Sequence, residues 1–186
     1  KEGVTWNFLS SSEFSARYFP TGYLWDVAGS SIFKIDDKYS ELEMLAFMNS
    51  KVANFILNIY NPTLNFQVEN IINLPYIVNE NYTDEIKKLT FQNVEISKED
   101  WDSSELSWDF KRNPLINYNV ETLQEAFEKW CHFKENKFSQ MKFNEERLNE
   151  IFIESYNLGN ILTKEVDSNE ISLNIPTQGK EARLLL

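Results

Sequence analysis

A chain of 186 residues, 42% hydrophobic and 15% aromatic, is long enough to bury a core as one large or two small domains, and its composition excludes a disordered chain. A single cysteine, Cys131, excludes an internal disulfide framework and fits a reducing cytoplasm; no apolar run of about 18 residues offers a membrane span, and no signal-peptide-like segment opens the sequence. The net charge of −11 weighs against nucleic-acid binding, because a duplex reader ordinarily shows a basic stripe.

That acidity is uneven. Through Val78 there are 5 Lys/Arg and 8 Asp/Glu; beyond it there are 13 and 21. A few basic side chains on one face can therefore still hold phosphates while acidic faces point elsewhere. Lys1 in place of a starting methionine, and the uncapped apolar ending Leu184-Leu185-Leu186, read as the cut ends of a longer protein.

From Val4 to Ile35 the pattern is short, aromatic and broken by turns. Alternation in Thr5-Trp6-Asn7-Phe8-Leu9 and in Phe14-Ser15-Ala16-Arg17-Tyr18 predicts strands, with Ser10-Ser11-Ser12 and Pro20-Thr21-Gly22 as turns and a third strand over residues 31–35. Ser40 followed by Glu43 fits a capping box and starts a helix; Ser50 caps a second one, which Pro62 closes by disfavouring helical geometry at Asn61. Residues 63–78 then read as extended, with Phe66 and Val68 alternating against Gln67 and Glu69.

The polar stretch from 79 to 96 is expected to be a linker or bridging segment. Ser97 with Asp100 looks like a new N-cap, opening a turn or helix with Trp101, Trp108 and Phe110 that Asn113-Pro114 stops. Those tryptophans need a surface to bury against. It is expected on the long segment 119–158, which has no Pro or Gly and places Leu123, Phe127, Trp130, Phe138, Met141, Leu148, Ile151 and Phe152 near one stripe. Asn144, Glu145 and Glu146 interrupt that stripe where a bend could fall, and Gly159 is the expected stop. Ile171, Leu173 and Ile175 alternate as a short strand or arm. The expected class is α+β: a small mixed αβ domain with twisted strands and two short helices at 1–78, a linker at 79–96, and a mainly α-helical domain with a long helix at 97–186.

Chemistry-bearing residues are sparse. Cys131 and His132 are adjacent on a helix and point about 100° apart, so they form no nucleophile–base pair; one Cys and one His make no usual zinc site. No catalytic residue, metal ligand or cofactor-binding residue is expected. The carboxylates Glu121, Glu125, Glu128 and Glu135, interleaved with lysines, read as a solvated face. Base reading requires Arg, Asn, Gln, Ser or Thr at base edges. Arg17, Asn65 and Gln67 are of those types, with Ser10, Ser11 and Ser12 on a loop; Lys34, Lys38 and Lys51 suit phosphates. Trp6, Tyr18, Tyr23 and Trp25 could stack on bases or sugars, although core packing is the commoner fate.

The order Asn49-Ser50-Lys51, apolar helix, Asn61-Pro62-Thr63-Leu64-Asn65-Phe66-Gln67, then Asn73-Leu74-Pro75 resembles the target-recognition region of adenine-specific DNA methyltransferases of bacteriophage-exclusion systems. Looser versions occur in fused type II restriction-modification enzymes and type I specificity subunits. Glu99-Asp100-Trp101-Asp102 and Ser107-Trp108-Asp109-Phe110 resemble the run that follows in the same enzymes, which extends the likeness over most of the chain to the helical spacer.

The resemblance implies a bacterial, cytoplasmic DNA-recognition piece of an S-adenosylmethionine-dependent N6-adenine methyltransferase. Its partners would be double-stranded DNA and an upstream methyltransferase domain, with no membrane. The glycine-containing cofactor loop and the Asn/Asp-Pro-Pro-Tyr/Phe motif of such enzymes are missing, since Thr63-Leu64 follows Asn61-Pro62. The chain alone is therefore expected to catalyse nothing, and the residues at Ser10 to Tyr18 rank first for specificity. A protein-interaction or structural module is the competing class, and a sugar-binding module comes third.

Overall fold

The computed structural model describes residues 1–10, 13–24, 26, 29–33, 39–77, 79–173 and 175. Its class is α+β: among the described residues it has a three-stranded antiparallel sheet and five α-helices, the last of them long. Strands β1 (Gly3–Asn7), β2 (Ala16–Phe19) and β3 (Gly29–Ile32) are ordered β2-β1-β3. Period-two alternation assigns the faces. Val4 and Trp6, opposite Tyr18 and Ala16, go inward, whereas Thr5 stands between Arg17 and Ser31 on the other face. Gly3 is required by close packing, since a Cβ there would lie 2.5 Å from the Ile32 carbonyl oxygen.

The first expected strand is split. Past Asn7 the chain leaves the sheet and pairs with residues 64–66: Ser10 N–H donates to Leu64 O (3.0 Å) and Phe66 N–H to Phe8 O (2.7 Å), around a Leu9–Asn65 bridge. The third strand begins two residues earlier than expected and ends at Ile32; Phe33 is not part of it, and residues 34 and 35 of the expected span lie outside the described residues.

Helix α1 (Glu41–Met48) starts at the expected capping box. Ser40 Oγ accepts from Leu42 N–H (3.2 Å), and Glu43 Oε2 accepts from Ser40 N–H (3.1 Å). Helix α2 (Lys51–Tyr60) is capped by Ser50, whose Oγ accepts from Ala53 N–H (3.2 Å), and stops before Asn61-Pro62. Within the expected extended stretch 63–78 stands instead a short helix, α3 (Val68–Ile72). Four alternating residues were too few to set a period. The Gln67 N–H donates to Asn70 Oδ1 (2.9 Å), the Asn70 N–H donates back to Gln67 O (3.0 Å), and this local closure turns the chain.

Helix α4 (Thr83–Asp102) runs through the expected linker and through Ser97, because nothing between them breaks a helix and Asp84 and Glu85 favour its first turn. Trp101 and Trp108 were expected to bury, yet Trp108 is 97% exposed and Trp101 is exposed as well. Polar contacts hold that loop: Ser107 Oγ donates to Asp102 Oδ1 (2.7 Å), and Lys98 bridges Asp102 and Asp109. Asn113 then caps a 3₁₀ turn at Pro114–Asn117.

Helix α5 (Leu123–Ser155) is 33 residues long, about 50 Å at 1.5 Å per residue. It is continuous through Asn144, where a bend was expected. Asn144 is fully buried; its Nδ2 donates to Asn93 Oδ1 (2.8 Å) and Gln92 Oε1 (3.3 Å), and its Oδ1 accepts from Gln140 (2.8 Å). The break in the apolar stripe is thus a satisfied polar contact. Leu123, expected in the stripe, is exposed. The helix ends at Ser155, and the left-handed role expected of Gly159 is taken two residues earlier by Asn157, at φ 54°. Leu158 N–H reaches Ile153 O (2.9 Å) and Asn157 N–H reaches Glu154 O (3.0 Å), the paired bonds of a Schellman stop.

Contacts divide the chain into two compact units, Lys1–Phe91 with Glu145–Glu165 and Gln92–Asn144 with Val166–Leu186; residues 145–165 of the expected spacer thus pack in the first unit. Its core joins Phe47, Val52, Ala53, Ile86, Leu148, Ile151 and Phe152. Phe47 centres an aromatic group with Tyr76 (5.2 Å), Phe152 (5.6 Å) and the stacked Tyr156 (5.7 Å). The smaller core of the second unit gathers Ile96, Met141, Val166 and Ile171 with Phe138 and Leu173. Among the described residues no strand forms over 171–175, and no helix is long and apolar enough to cross a membrane.

Candidate functional site

The sheet presents one face to the core and one to solvent. On the outer face Arg17, Thr5 and Ser31 form a cross-strand row, Arg17 exposed, with Asn7 opposite Gly29 one step along. The Thr5 hydroxyl donates to Ser30 O (2.9 Å) and the Ser31 hydroxyl to Gly29 O (3.1 Å). With both hydrogens committed inward, the hydroxyls meet an incoming group as acceptors, beside a guanidinium that only donates. A depression of about 490 Å³ lies over this face, lined by Thr5, Phe19, Tyr23, Leu24, Asp26, Gly29 and Ser31. Tyr23 and Leu24 are exposed on its wall.

The residues singled out in the sequence are dispersed by this architecture. Arg17 and Tyr18, adjacent in β2, point to opposite faces. Tyr18 stands over Val4, and its hydroxyl donates to Glu2 Oε2 (2.6 Å); that bond to a carboxylate, with partial burial, pushes its pKa up to about 12. Trp6 is a core residue with its indole N–H on Phe66 O (2.9 Å). Ser10 and Asn65 are brought together where residues 8–10 pair with 64–66, and Gln67 lies exposed just beyond. Lys51 begins α2; its N–H donates to Asn149 Oδ1 (2.9 Å) and its ammonium reaches the Glu165 carbonyl. Ser11, Ser12, Trp25, Lys34 and Lys38 lie outside the described residues.

Sequence reasoning missed Thr5, Asn7 and Ser31. Their signal was the period-two phase that buries Val4 and Trp6, which fixes the outer set once those two are taken as core. The phrases around the site are structural. Asn61 is buried and closes its own turn: Nδ2 donates to Asn65 O (2.5 Å), and Oδ1 accepts the Thr63 hydroxyl (2.6 Å). In Asn73-Leu74-Pro75, the Pro75 carbonyl accepts the Tyr156 hydroxyl, whose oxygen accepts Ile77 N–H (2.9 Å), and Leu74 packs on the core. Asn49 pins β2 to the end of α1, with Oδ1 accepting Ala16 N–H (2.8 Å) and Nδ2 donating to Ala16 O (3.0 Å).

No family model matches the chain. It is 37% identical over 184 residues to the adenine-specific methyltransferase PglX of Lacticaseibacillus casei (strain Zhang), an alignment covering 95% of this chain and 15% of that protein. It is 35% identical over 175 residues to the adenine-specific methyltransferase BrxX of Escherichia coli O9:H4 (strain HS), covering 94% of this chain and 14% of that protein. The chain is homologous to a segment of these methyltransferases. It spans about one seventh of the length of either relative, so the resemblance read from the Asn-Pro-Thr-Leu-Asn and Trp-Asp phrases is to a defined part of a much larger enzyme.

S-adenosylmethionine, which methyl transfer requires, finds no fit among the described residues. No strand runs through a glycine-containing turn into a helix, the arrangement that cradles such cofactors in open α/β sheets, and the three strands here are antiparallel. The amide of Asn61, in a dipeptide that superficially matches a catalytic motif, is committed to its own loop. Among the described residues there is no group of three or more metal-ligating side chains.

Proposed function

We propose that this chain is the DNA-sequence-reading segment of a bacterial N6-adenine DNA methyltransferase of a phage-defence or restriction-modification system, working in the cytoplasm and catalysing nothing by itself. The observation that carries this reading is the pair of alignments, which cover about 95% of the chain with a single stretch of two adenine-specific methyltransferases. Methyl donor and catalytic residues belong to an upstream methyltransferase domain of the parent protein. Residues 1–78 hold the reading surface, with residues 145–165 packed in the same unit, and the rest of 97–186 serves as a helical spacer, joined through 79–96, most of which belongs to α4.

The outer sheet face supplies the chemistry. Arg17 donates a bidentate pair to a guanine edge, and the Thr5 and Ser31 hydroxyls accept from exocyclic amines of adenine or cytosine. Ser10 and Asn65, where residues 8–10 pair with 64–66, and Gln67 just beyond contact the flank of the duplex, and Ser11, Ser12 and Lys34 add base and phosphate contacts by residue type. Affinity comes largely from the rest of the enzyme through effective concentration, which is how a segment in a chain of net charge −11 can still read bases.

The test is the methylated motif in cells carrying the parent enzyme, compared with Arg17→Ala and with an exchange of residues 10–18. A changed or relaxed motif supports the reading; an unchanged motif with full methylation defeats it. A second reading, a protein-interaction module, is favoured by exposed Trp101, Leu106 and Trp108 together with the acidic charge. It predicts that these variants leave the motif intact.

A further inference from the structure

The second unit holds a cavity of about 810 Å³, and none of its lining is used by the sheet-face reading. Its size is that of a pocket for a small organic ligand. In a chain carrying −11, the charged side chains lining it cancel: Glu99, Asp100, Asp102 and Asp109 against Lys111, Arg112, Lys134 and Lys137. The acids are already matched. Asp100 pairs with buried Lys134, Glu99 with Lys137 (2.7 Å), and Lys98 spans Asp102 and Asp109 (3.1 Å to the latter). Among the described residues no salt bridge engages Lys111 or Arg112, both of them exposed, and Lys111 acts on Asp102 only as a more distant charge that adds to the lowering by Lys98 and Ser107.

The walls between these charges are aromatic. Tyr118, Trp130 and Phe133 line the cavity half-buried, and Asn117 offers an exposed amide beside them. The Trp130 ring is held by Lys134, whose ammonium lies 5.4 Å from the ring centre, and by Phe127 at 6.3 Å. Adjacent cations at a rim, flat aromatic walls inside and an amide with free hydrogen-bonding edges match a phosphate, a ring and a base edge.

We infer that this cavity binds a nucleotide, its phosphate on Lys111 and Arg112 and its base against Tyr118 and Trp130. The ligand is either a free mononucleotide or one nucleotide of a nucleic-acid strand, and the two share this chemistry. Binding here stands independently of base reading by the sheet.

The experiment is a titration of the isotope-labelled 186-residue chain, following the Trp130 indole N–H by NMR after assignment with Trp130→Phe. The probes are adenosine 5′-monophosphate, a short single-stranded oligodeoxyadenylate and inorganic phosphate. The indole signal of Trp130 is expected to shift with the first two and that of core residue Trp6 to stay. Lys111→Ala/Arg112→Ala, both on the surface, is expected to weaken binding about tenfold or more, as removing two phosphate contacts should. Arg17→Ala should bind as wild type does, which separates this site from the sheet face. Tighter binding of the oligonucleotide assigns a strand as the ligand, and equal binding per nucleotide assigns the free nucleotide. Failure of all three probes to move Trp130, binding of phosphate as tight as that of the monophosphate, or undiminished binding by the double variant would each overturn the proposal.

Discussion

The two compact units are built on different physics. In the first, ten buried apolar residues form one cluster around Phe47, with aromatic rings on several of its sides. In the second, four buried apolar residues form the core, and much of the remaining order comes from ion pairs and amides: Lys134 with Asp100, Lys98 with two aspartates, and Asn144 with Gln92 and Asn93. Apolar burial is non-directional and scales with the surface and volume filled, whereas buried polar pairs are costly unless every member is satisfied. The first unit should therefore respond to lost volume and the second to lost partners.

The sharpest way to break that contrast is to remove volume. Phe47→Ala should cost about 4 kcal/mol in urea unfolding, since it vacates a fully buried ring site contacted by three other rings. Lys134→Ala should cost about 3 kcal/mol by leaving Asp100 buried and unpaired, while Lys134→Met with Asp100→Leu should recover most of the loss. If the double variant is no better than the single one, the pair is not what orders the second unit.

Asn157→Ala should cost about 1 kcal/mol, because a β-carbon residue without Asn's local hydrogen bonding is strained at φ 54°; thermal unfolding against Asn157→Gly, expected to be neutral or stabilising, measures it.

Acid tests the ion pairs. The Arg147 guanidinium, bonded to Glu85 Oε1 (2.8 Å) and Oε2 (3.1 Å), holds the Glu85 carboxyl below its ordinary value of 4.5. Lys164 first, and then Arg147, do the same for Glu150. A lowered folded-state value contributes stability that is complete above the unfolded value and is lost as pH falls through the folded one. Stability should therefore decline below pH 4.5, and Arg147→Met should flatten that decline. An unaltered slope would show that both partners are too solvated to matter. Smallest of all, Arg17→Ala should change stability by less than about 0.5 kcal/mol, as an exposed residue outside the core.

What could be read in the sequence was local. Ser40 with Glu43, Ser50 before an apolar run and Pro62 after one each specify a boundary through contacts within four residues, and the structure has all three. What could not be read depended on partners far along the chain. Ser97 carries a cap signature but sits inside α4, because nothing upstream breaks that helix. Asn144 looks like a fault in a stripe until Gln92 and Asn93 are known to meet it. Trp108 stays in solvent because polar contacts at Ser107 and Asp109 fix its loop first. At the candidate site the sequence named Arg17 from its chemistry, yet joined it to Tyr18, which faces the other way; strict alternation already separated them.

The pinning of Ala16 by Asn49 has a consequence for β2, one of the two outer strands of the described sheet. An edge strand offers unpaired donors and acceptors to any neighbouring chain and invites sheet-to-sheet aggregation. The Asn49 amide takes the place of one residue of a missing fourth strand, occupying both the N–H and the C=O of Ala16. β2 is thereby capped by a side chain from a helix, so Arg17 can stay exposed on an edge strand that is closed to a second copy at that position.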